Sequence, residues 1–194
     1  MGLSHTSIEI RQTEHILRMT PELQLDNEEK WYAAYTSAHH EKRVAGQLLQ
    51  RSIENYLPLY DSVRRWKDRR VRLQMPLFPG YVFVRISARD RLKVQQIHGV
   101  AHLVGFGGQL TPVPEEDIQA IRTCLAGPNR VQPHRYLKRG QRVRVLNGPL
   151  TGLTGIVVRQ RKQTRFVISF DLLQRAVAVD IDAADLAPDG TTRG

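Results

Sequence analysis

The sequence predicts an α+β protein in two folded parts: an N-terminal α/β sandwich on a mostly antiparallel sheet, then a small C-terminal β-barrel. Three observations predict it. Patterns between residues 30 and 126 run strand, helix, strands, helix, strand, helix. After Gly140 the helical periods stop, and short β-rich runs recur between turn residues up to Pro188. Between the two parts, residues 127–137 hold two prolines and a glycine without any period, which reads as a linker.

The elements follow in order. Residues 1–29 lack a sustained apolar period; a short helix over Ile8–Leu17 is conceivable, but Pro21, Asp26, Glu28 and Glu29 favour a flexible acidic leader. Lys30–Ser37 (KWYAAYTS) reads as a strand with Trp31, Ala33 and Tyr35 on one face and Tyr32, Ala34 and Thr36 on the other. Val44, Leu48, Leu49 and Ile53 then recur at helical spacing, with Ser37 as the expected N-cap. Asn55–Tyr60 is extended around Pro58, and Ser62–Gln74 reads as a hairpin with a charged tip near Lys67–Arg69. Gly80–Ile86 (GYVFVRI) is a strand, Ala88–Ile97 a helix capped by Ser87, and Val100–Gly108 a strand ending in a Gly-rich turn. Pro114 suits the first helical position, and Glu115, Glu116 and Asp117 suit the positive end of a helix running to Leu125.

In the second part, Arg142–Leu146, Gly155–Gln160, Arg165–Phe170 and Ala176–Ile181 are the clearest strands, with turns at Asn147-Gly148-Pro149, Thr151-Gly152 and Arg161–Gln163. Gly148, Gly152 and Gly155 are expected at backbone conformations that other residues resist. Val157, Val158, Val167, Ile168, Val177 and Val179 favour strands, so the expected resting state is a β-barrel over 138–188, followed by a polar tail at 189–194.

Charge narrows the function classes. The net charge of +10 divides unevenly: residues 1–29 are net −4, whereas 30–126 and 127–194 are each net +7. Two basic folded parts point to nucleic acid or an acidic protein partner. The one cysteine, Cys124, falls in a helical apolar pattern and reads as a small buried hydrophobe; no Cys/His spacing suits zinc, so no metal or cofactor is expected. His39-His40-Glu41 is no zinc-protease motif, because Val44 stands where the second ligand would be. No phosphate-binding glycine loop or nucleophile elbow occurs in a suitable context, so the chain does not read as an enzyme and no catalytic residue is named. The sequence shows neither a membrane-length apolar run nor a secretory h-region, and the expected compartment is the cytoplasm.

Three local patterns point to one family. Trp31-Tyr32 opens a strand that leads into a helix bearing His40-Glu41-Lys42-Arg43-Val44; Pro76-Leu77-Phe78-Pro79-Gly80-Tyr81-Val82-Phe83-Val84 follows; and Lys138–Val145 precedes Asn147-Gly148-Pro149-Leu150-Thr151-Gly152-Leu153-Thr154-Gly155. Together they resemble the NusG family over residues 30–187, the third pattern being its KOW motif in an SH3-like barrel. The strings PLFPGYVFV, HGVAHLVGFGG and DLLQRAVAVDIDAADL look similar to specialised antiterminator paralogues of the UpxY and RfaH type. The resemblance implies a monomeric transcription elongation or antitermination factor. Its N-terminal domain, residues 30–126, would bind the RNA polymerase clamp helices, and its KOW domain would recruit a ribosomal small-subunit protein or Rho. A KOW-containing ribosomal or RNA-binding protein is the alternative.

Candidate site residues combine both lines of reasoning. Alternation in Gly80–Ile86 puts Tyr81, Phe83 and Arg85 on one face and Val82, Val84 and Ile86 on the other; the aliphatic face reads as core and the Tyr81 face as surface. Tyr35, Phe78 and Tyr81, joined by Leu103, are therefore the expected polymerase contacts, aromatic anchors being typical of such surfaces; the bland reading is that they are core. Arg64, Arg65, Lys67, Arg69, Arg70 and Arg72 with Trp66 could follow a phosphate backbone and stack a base of upstream or non-template DNA, or simply solvate a hairpin tip. His39, His40, Lys42, Arg43 and Gln47 at a helix start could reach the same strand, or form an ordinary polar face. Leu150 and Leu153 are the expected contacts for the KOW partner.

Overall fold

A computed structural model describes residues 27–66, 69–137, 140–160 and 163–189. The possible helix at Ile8–Leu17, Lys67 and most of the tail therefore lie outside the described residues. The first part is a four-stranded antiparallel sheet made of β1 (Lys30–Thr36), β2 (Asn55–Tyr56), β5 (Tyr81–Ile86) and β6 (Val100–Leu103), in the order β2-β5-β1-β6. Apolar residues at both phases of β1 and β5 let this sheet bury both faces. On one, Tyr32, Ala34, Val82, Val84 and Ile86 pack with Val44 and Leu48 of α1 (Glu41–Gln50) and Val94 of α2 (Arg91–Gln95). On the other, Trp31, Ala33 and Phe83 meet Ile118, Ile121 and Cys124 of α3 (Glu115–Ala126).

Between β2 and β5 the chain leaves the sheet as a two-stranded ribbon, β3 (Leu59–Trp66) and β4 (Arg69–Pro76), in register from Leu59↔Pro76 to Trp66↔Arg69. A second, very short hairpin, β7 (Gly105–Phe106) with β8 (Gln109–Leu110), turns through Gly107 and Gly108, both at positive φ.

The second part is a six-stranded antiparallel sheet. It comprises β9 (Val131–Arg135), β10 (Gln141–Val145), β11 (Thr154–Gln160), β12 (Gln163–Phe170), β13 (Arg175–Ile181) and β14 (Leu186–Pro188). Their order in the sheet is β14-β10-β11-β12-β13-β9. The alternating valines fill its interior, so the expected β state is the one observed. Mixed α and β architecture with antiparallel sheets and a C-terminal SH3-like unit agrees with the sequence.

Several local expectations change. Ser37 does not cap α1: His40 occupies that position, and Ser37 contributes only its carbonyl, accepting from the His40 amide at 3.1 Å. Residues 88–97 form a 3₁₀ turn followed by the five-residue α2, and the Ser87 hydroxyl reaches the Asp90 carboxylate at 3.5 Å instead of a backbone amide. Pro114 is the N-cap of α3, one place earlier than expected. Val131–Arg135, read as linker because of Pro133, is strand β9, paired to β13 with Pro133 opposite Val177. A proline is tolerated there because β9 is an edge strand. Gly155 has no positive φ; it is needed because a Cβ there would stand 2.6 Å from the Val167 carbonyl oxygen and 2.7 Å from the Phe166 ring.

Candidate interaction surfaces

Antiparallel pairing sets the aromatic site. Tyr35 of β1 lies opposite Tyr81 of β5 and opposite His102 of β6, so one row crosses three strands. The Tyr35 ring is 5.3 Å from Tyr81 and 5.2 Å from His102, both in tilted contact. Tyr35 is 39 % exposed, Tyr81 half-buried and His102 exposed. Bulky aromatics at the rim of a packed sheet face form a rigid apolar surface with polar tips, the composition of a protein-binding anchor.

The Phe78-Pro79-Gly80 turn feeds this row. Gly80 adopts φ +88, and its amide donates to the Glu41 Oε1 at 2.7 Å, a buried contact between the turn and the first turn of α1. A Cβ on Gly80 would approach the Tyr35 ring to 3.1 Å, so a left-handed, side-chain-free residue is required. Nothing in the sequence singles out Glu41, because a glutamate in a polar helix start carries no mark of burial.

Phe78 does not share the exposure of the tyrosines. It is 1 % exposed, edge-on to Phe83 at 5.7 Å and edge-on to Phe170 of the C-terminal sheet at 5.2 Å. Apolar packing is continuous from Trp31, Phe78 and Phe83 through Phe170 and Leu173 into the second part. The face expected to be surface is thus covered, by α3 and by the second part, except at its Tyr35–Tyr81 end. Leu103 does not join the patch: its side chain is 6 % exposed and sits on the opposite face with Tyr32 and Val44, because it pairs with Ala34 and not with Tyr35.

The same core holds Arg122 of α3 between two rings, 5.5 Å from Trp31 and 5.2 Å from Tyr56. Burial pushes the Tyr56 hydroxyl up to about 12, against the lowering charge of Arg122. Asp117, in the first turn of α3, is raised to about 6, first by burial and then by the charges of Glu116 and Asp171. Asp171 belongs to the second part, where its carboxylate accepts from the Tyr136 hydroxyl at 2.6 Å.

The β3–β4 ribbon carries the cationic site. Arg64, Arg65, Arg69, Arg70 and Arg72 are all exposed. Pairing places Arg65 directly opposite Arg70, with Arg72 next along the same face, while Arg64 and Arg69 point to the other. Like charges opposite one another disfavour the isolated ribbon, so the arrangement suits a polyanion. Trp66 ends β3, opposite Arg69. At the α1 start, His39 (φ 62), Lys42 and Arg43 are exposed, but Gln47 is half-buried with its amide donating to the His98 carbonyl at 3.2 Å. His40 is half-buried, with Nδ1 enclosed. The five residues therefore divide into an exposed trio and two packing groups.

In the second part Leu150 is 2 % exposed and belongs to the core, and Leu153 is half-buried against it. The apolar side chain presented to solvent beside the Asn147-Gly148-Pro149 turn is Leu146, 49 % exposed, which by sequence pattern is only a strand end. Among the described residues no group of His, Cys, Asp and Glu could hold a metal, and no helix is long and apolar enough to cross a membrane.

Comparison with known proteins agrees with this architecture. The family described as "Transcription termination factor nusG" matches residues 29–122. The transcription termination/antitermination protein NusG of Deinococcus radiodurans is 27 % identical over 186 residues, covering 81 % of this chain and 98 % of that protein. The protein of the same name from Helicobacter pylori strain J99 is 27 % identical over 139 residues, covering 66 % of this chain and 79 % of its own. A solved structure, "Domain interaction in Thermotoga maritima NusG", superposes with a TM-score of 0.54 at 20 % identity, covering 83 % of this chain and 97 % of that one.

Proposed function

Since the chain carries a NusG-family domain and is similar along most of its length to NusG-named proteins, we propose that it is a transcription termination/antitermination factor that binds RNA polymerase. The observation that carries the reading is the Tyr35–Tyr81–His102 row at the open end of an otherwise covered sheet face. Tyr35 and Tyr81 are the first anchors for the tip of the polymerase clamp helices. Phe78 continues that surface only once Phe170 is withdrawn, so full engagement requires the second part to leave the first.

The exposed arginines of the ribbon, joined by His39, Lys42 and Arg43, suit upstream or non-template DNA held beside the polymerase. With the polymerase clamp closed by the bound domain, pausing is suppressed. The KOW unit then recruits a ribosomal small-subunit protein or Rho through the loop bearing Leu146 and Leu153. The factor acts as a cytoplasmic monomer.

The test is binding of the purified chain to core RNA polymerase, wild type beside a Tyr35→Ala/Tyr81→Ala variant. Loss of binding in the variant, with its fold intact by circular dichroism, supports the reading. Equal binding moves the contact elsewhere. Absence of polymerase binding by the wild type, alongside tight RNA binding, would favour an RNA-binding protein.

A further inference from the structure

The β3–β4 ribbon is cationic on both of its faces. Residues opposite one another in an antiparallel pair share a face, and successive residues alternate. The register therefore sets Arg65, Arg70 and Arg72 on one face and Arg64 and Arg69 on the other. All five are exposed, and none makes an ion pair among the described residues. The charge is also confined lengthwise. The four pairs from Leu59↔Pro76 to Ser62↔Leu73 hold no cation, and they include Asp61, the one acid among the described ribbon residues. Tyr60 packs against the core, and the Leu77 amide donates to the Pro58 carbonyl at 2.9 Å, which fixes the root of the ribbon. Every arginine lies in the outer four pairs, Val63↔Arg72 to Trp66↔Arg69. Val63, on the Arg65 face of that end, is 57 % exposed, so that face carries no cover.

Charge on one face suits a ribbon lying along a polyanion. Charge on two opposite faces suits a ribbon with phosphates on both sides. The major groove of B-form DNA offers that arrangement: two phosphate walls about 12 Å apart and about 8.5 Å deep, a space that admits a two-stranded ribbon. The outer four pairs span three residue steps, about 10 Å at ~3.4 Å per residue, which matches that depth. The root, without cations, then stops at the mouth of the groove. A single strand presents one row of phosphates and satisfies one face. Double-stranded RNA has a deep, narrow major groove that side chains do not enter.

We propose that the β3–β4 ribbon enters the major groove of duplex DNA tip first, with Arg65, Arg70 and Arg72 on the phosphates of one strand and Arg64 and Arg69 on those of the other. This mode of binding rests on the DNA reading of the ribbon and adds the form of the DNA and the groove that receives it; it needs no polymerase. Phosphate contacts position a duplex without reading its sequence, so the binding is sequence-independent. Bound phosphates also relieve the Arg65–Arg70 repulsion that burdens the free ribbon.

The experiment uses the full chain and a short fluorescent DNA duplex, without polymerase. Anisotropy across a salt titration gives the affinity, and dimethyl sulfate probes guanine N7, an atom that lies in the major groove. The wild type is expected to protect N7 and to bind at least tenfold more tightly than to an RNA duplex of the same sequence. Arg65→Ala/Arg70→Ala/Arg72→Ala and Arg64→Ala/Arg69→Ala should each lower the slope of log K against log salt, the second by about 1.8, or about 0.9 for each of two phosphates. Circular dichroism checks that both variants keep the fold. A slope lowered by the first variant alone means a ribbon lying outside the duplex on one face; it overturns the insertion and leaves the DNA reading standing. Unprotected N7 at saturation, protection that persists when all five arginines are alanine, or equal affinity for the RNA duplex overturns the insertion as well. No duplex binding at low salt removes the DNA reading along with it.

Discussion

The rings of Phe78 and Phe170 meet edge to face, 5.2 Å between centroids, and they belong to different halves of the chain. The pair joins the turn that positions Tyr81 to the end of β12.

Loosening that pair should favour the open form. Phe170→Leu keeps an apolar side chain but removes an aromatic interaction worth about 0.5–1.5 kcal/mol beyond its area. Polymerase affinity is expected to rise about two- to tenfold, the equivalent of that energy as a population shift. Titration of labelled polymerase checks it; unchanged or weaker affinity in a folded variant would break the link between Phe78 and polymerase binding.

Asp117 makes stability depend on pH. Its carboxyl is raised to about 6 in the folded chain by burial, Glu116 and Asp171, whereas the unfolded group titrates near its ordinary value of 3.8. Between these values the folded state binds more protons, so stability falls as pH rises from about 4 to about 6 and stays at the lower level above that. Asp117→Asn should flatten this part of the profile and raise the melting temperature at a pH of about 7.5, where the native carboxylate is charged. Thermal melts spanning both sides of the transition read both effects.

Glu41 holds the turn beneath Tyr81. Glu41→Ala leaves the buried Gly80 amide without its acceptor, a loss of about 1–3 kcal/mol, and frees the turn that aims the tyrosine. Glu41→Gln keeps a neutral acceptor and should lose less. Denaturant melts give the energies, and polymerase binding should fall in the same order.

Gly155 is a packing requirement. Gly155→Ala forces a methyl against the Val167 carbonyl and the Phe166 ring and should destabilise the C-terminal unit by about 1–3 kcal/mol. Gly148→Ala meets no atom within 4 Å, so its cost is confined to the positive φ of 84°. Melting both variants separates crowding from backbone strain.

The ribbon should behave as a polyelectrolyte surface. An Arg65→Ala/Arg70→Ala/Arg72→Ala variant is expected to weaken duplex binding and lower the slope of log K against log salt by about 0.9 for each phosphate no longer neutralised. A salt titration with labelled duplex reads it, and an unchanged slope would leave these arginines as solvated surface.

Much of this architecture is legible in the sequence, for identifiable reasons. Alternating runs such as YVFVRI and the arginine-rich hairpin mark the strands and the ribbon, because period-two patterns and charge survive without tertiary context. Which face of β5 meets solvent is not legible. Phe83 and Phe78 look like surface aromatics until α3 and the second half of the chain are brought over them, and no local pattern encodes that closure. Leu103 misleads for a related reason. A register offset of one residue decides whether a side chain joins Tyr35 or the helices behind it. Val131–Arg135 hides its strand behind Pro133, a residue that excludes central strands but not edges.

Cys124 is the chain's single thiol, and it lies within the core shared by the two halves, its pKa pushed up to about 11 by burial. Thiolate chemistry is therefore suppressed twice, by access and by protonation. An alkylating reagent can reach it only through those transient openings that also expose its neighbours, so the rate of modification is a built-in clock for how often the molecule comes apart. No label or engineered residue is needed to read that clock.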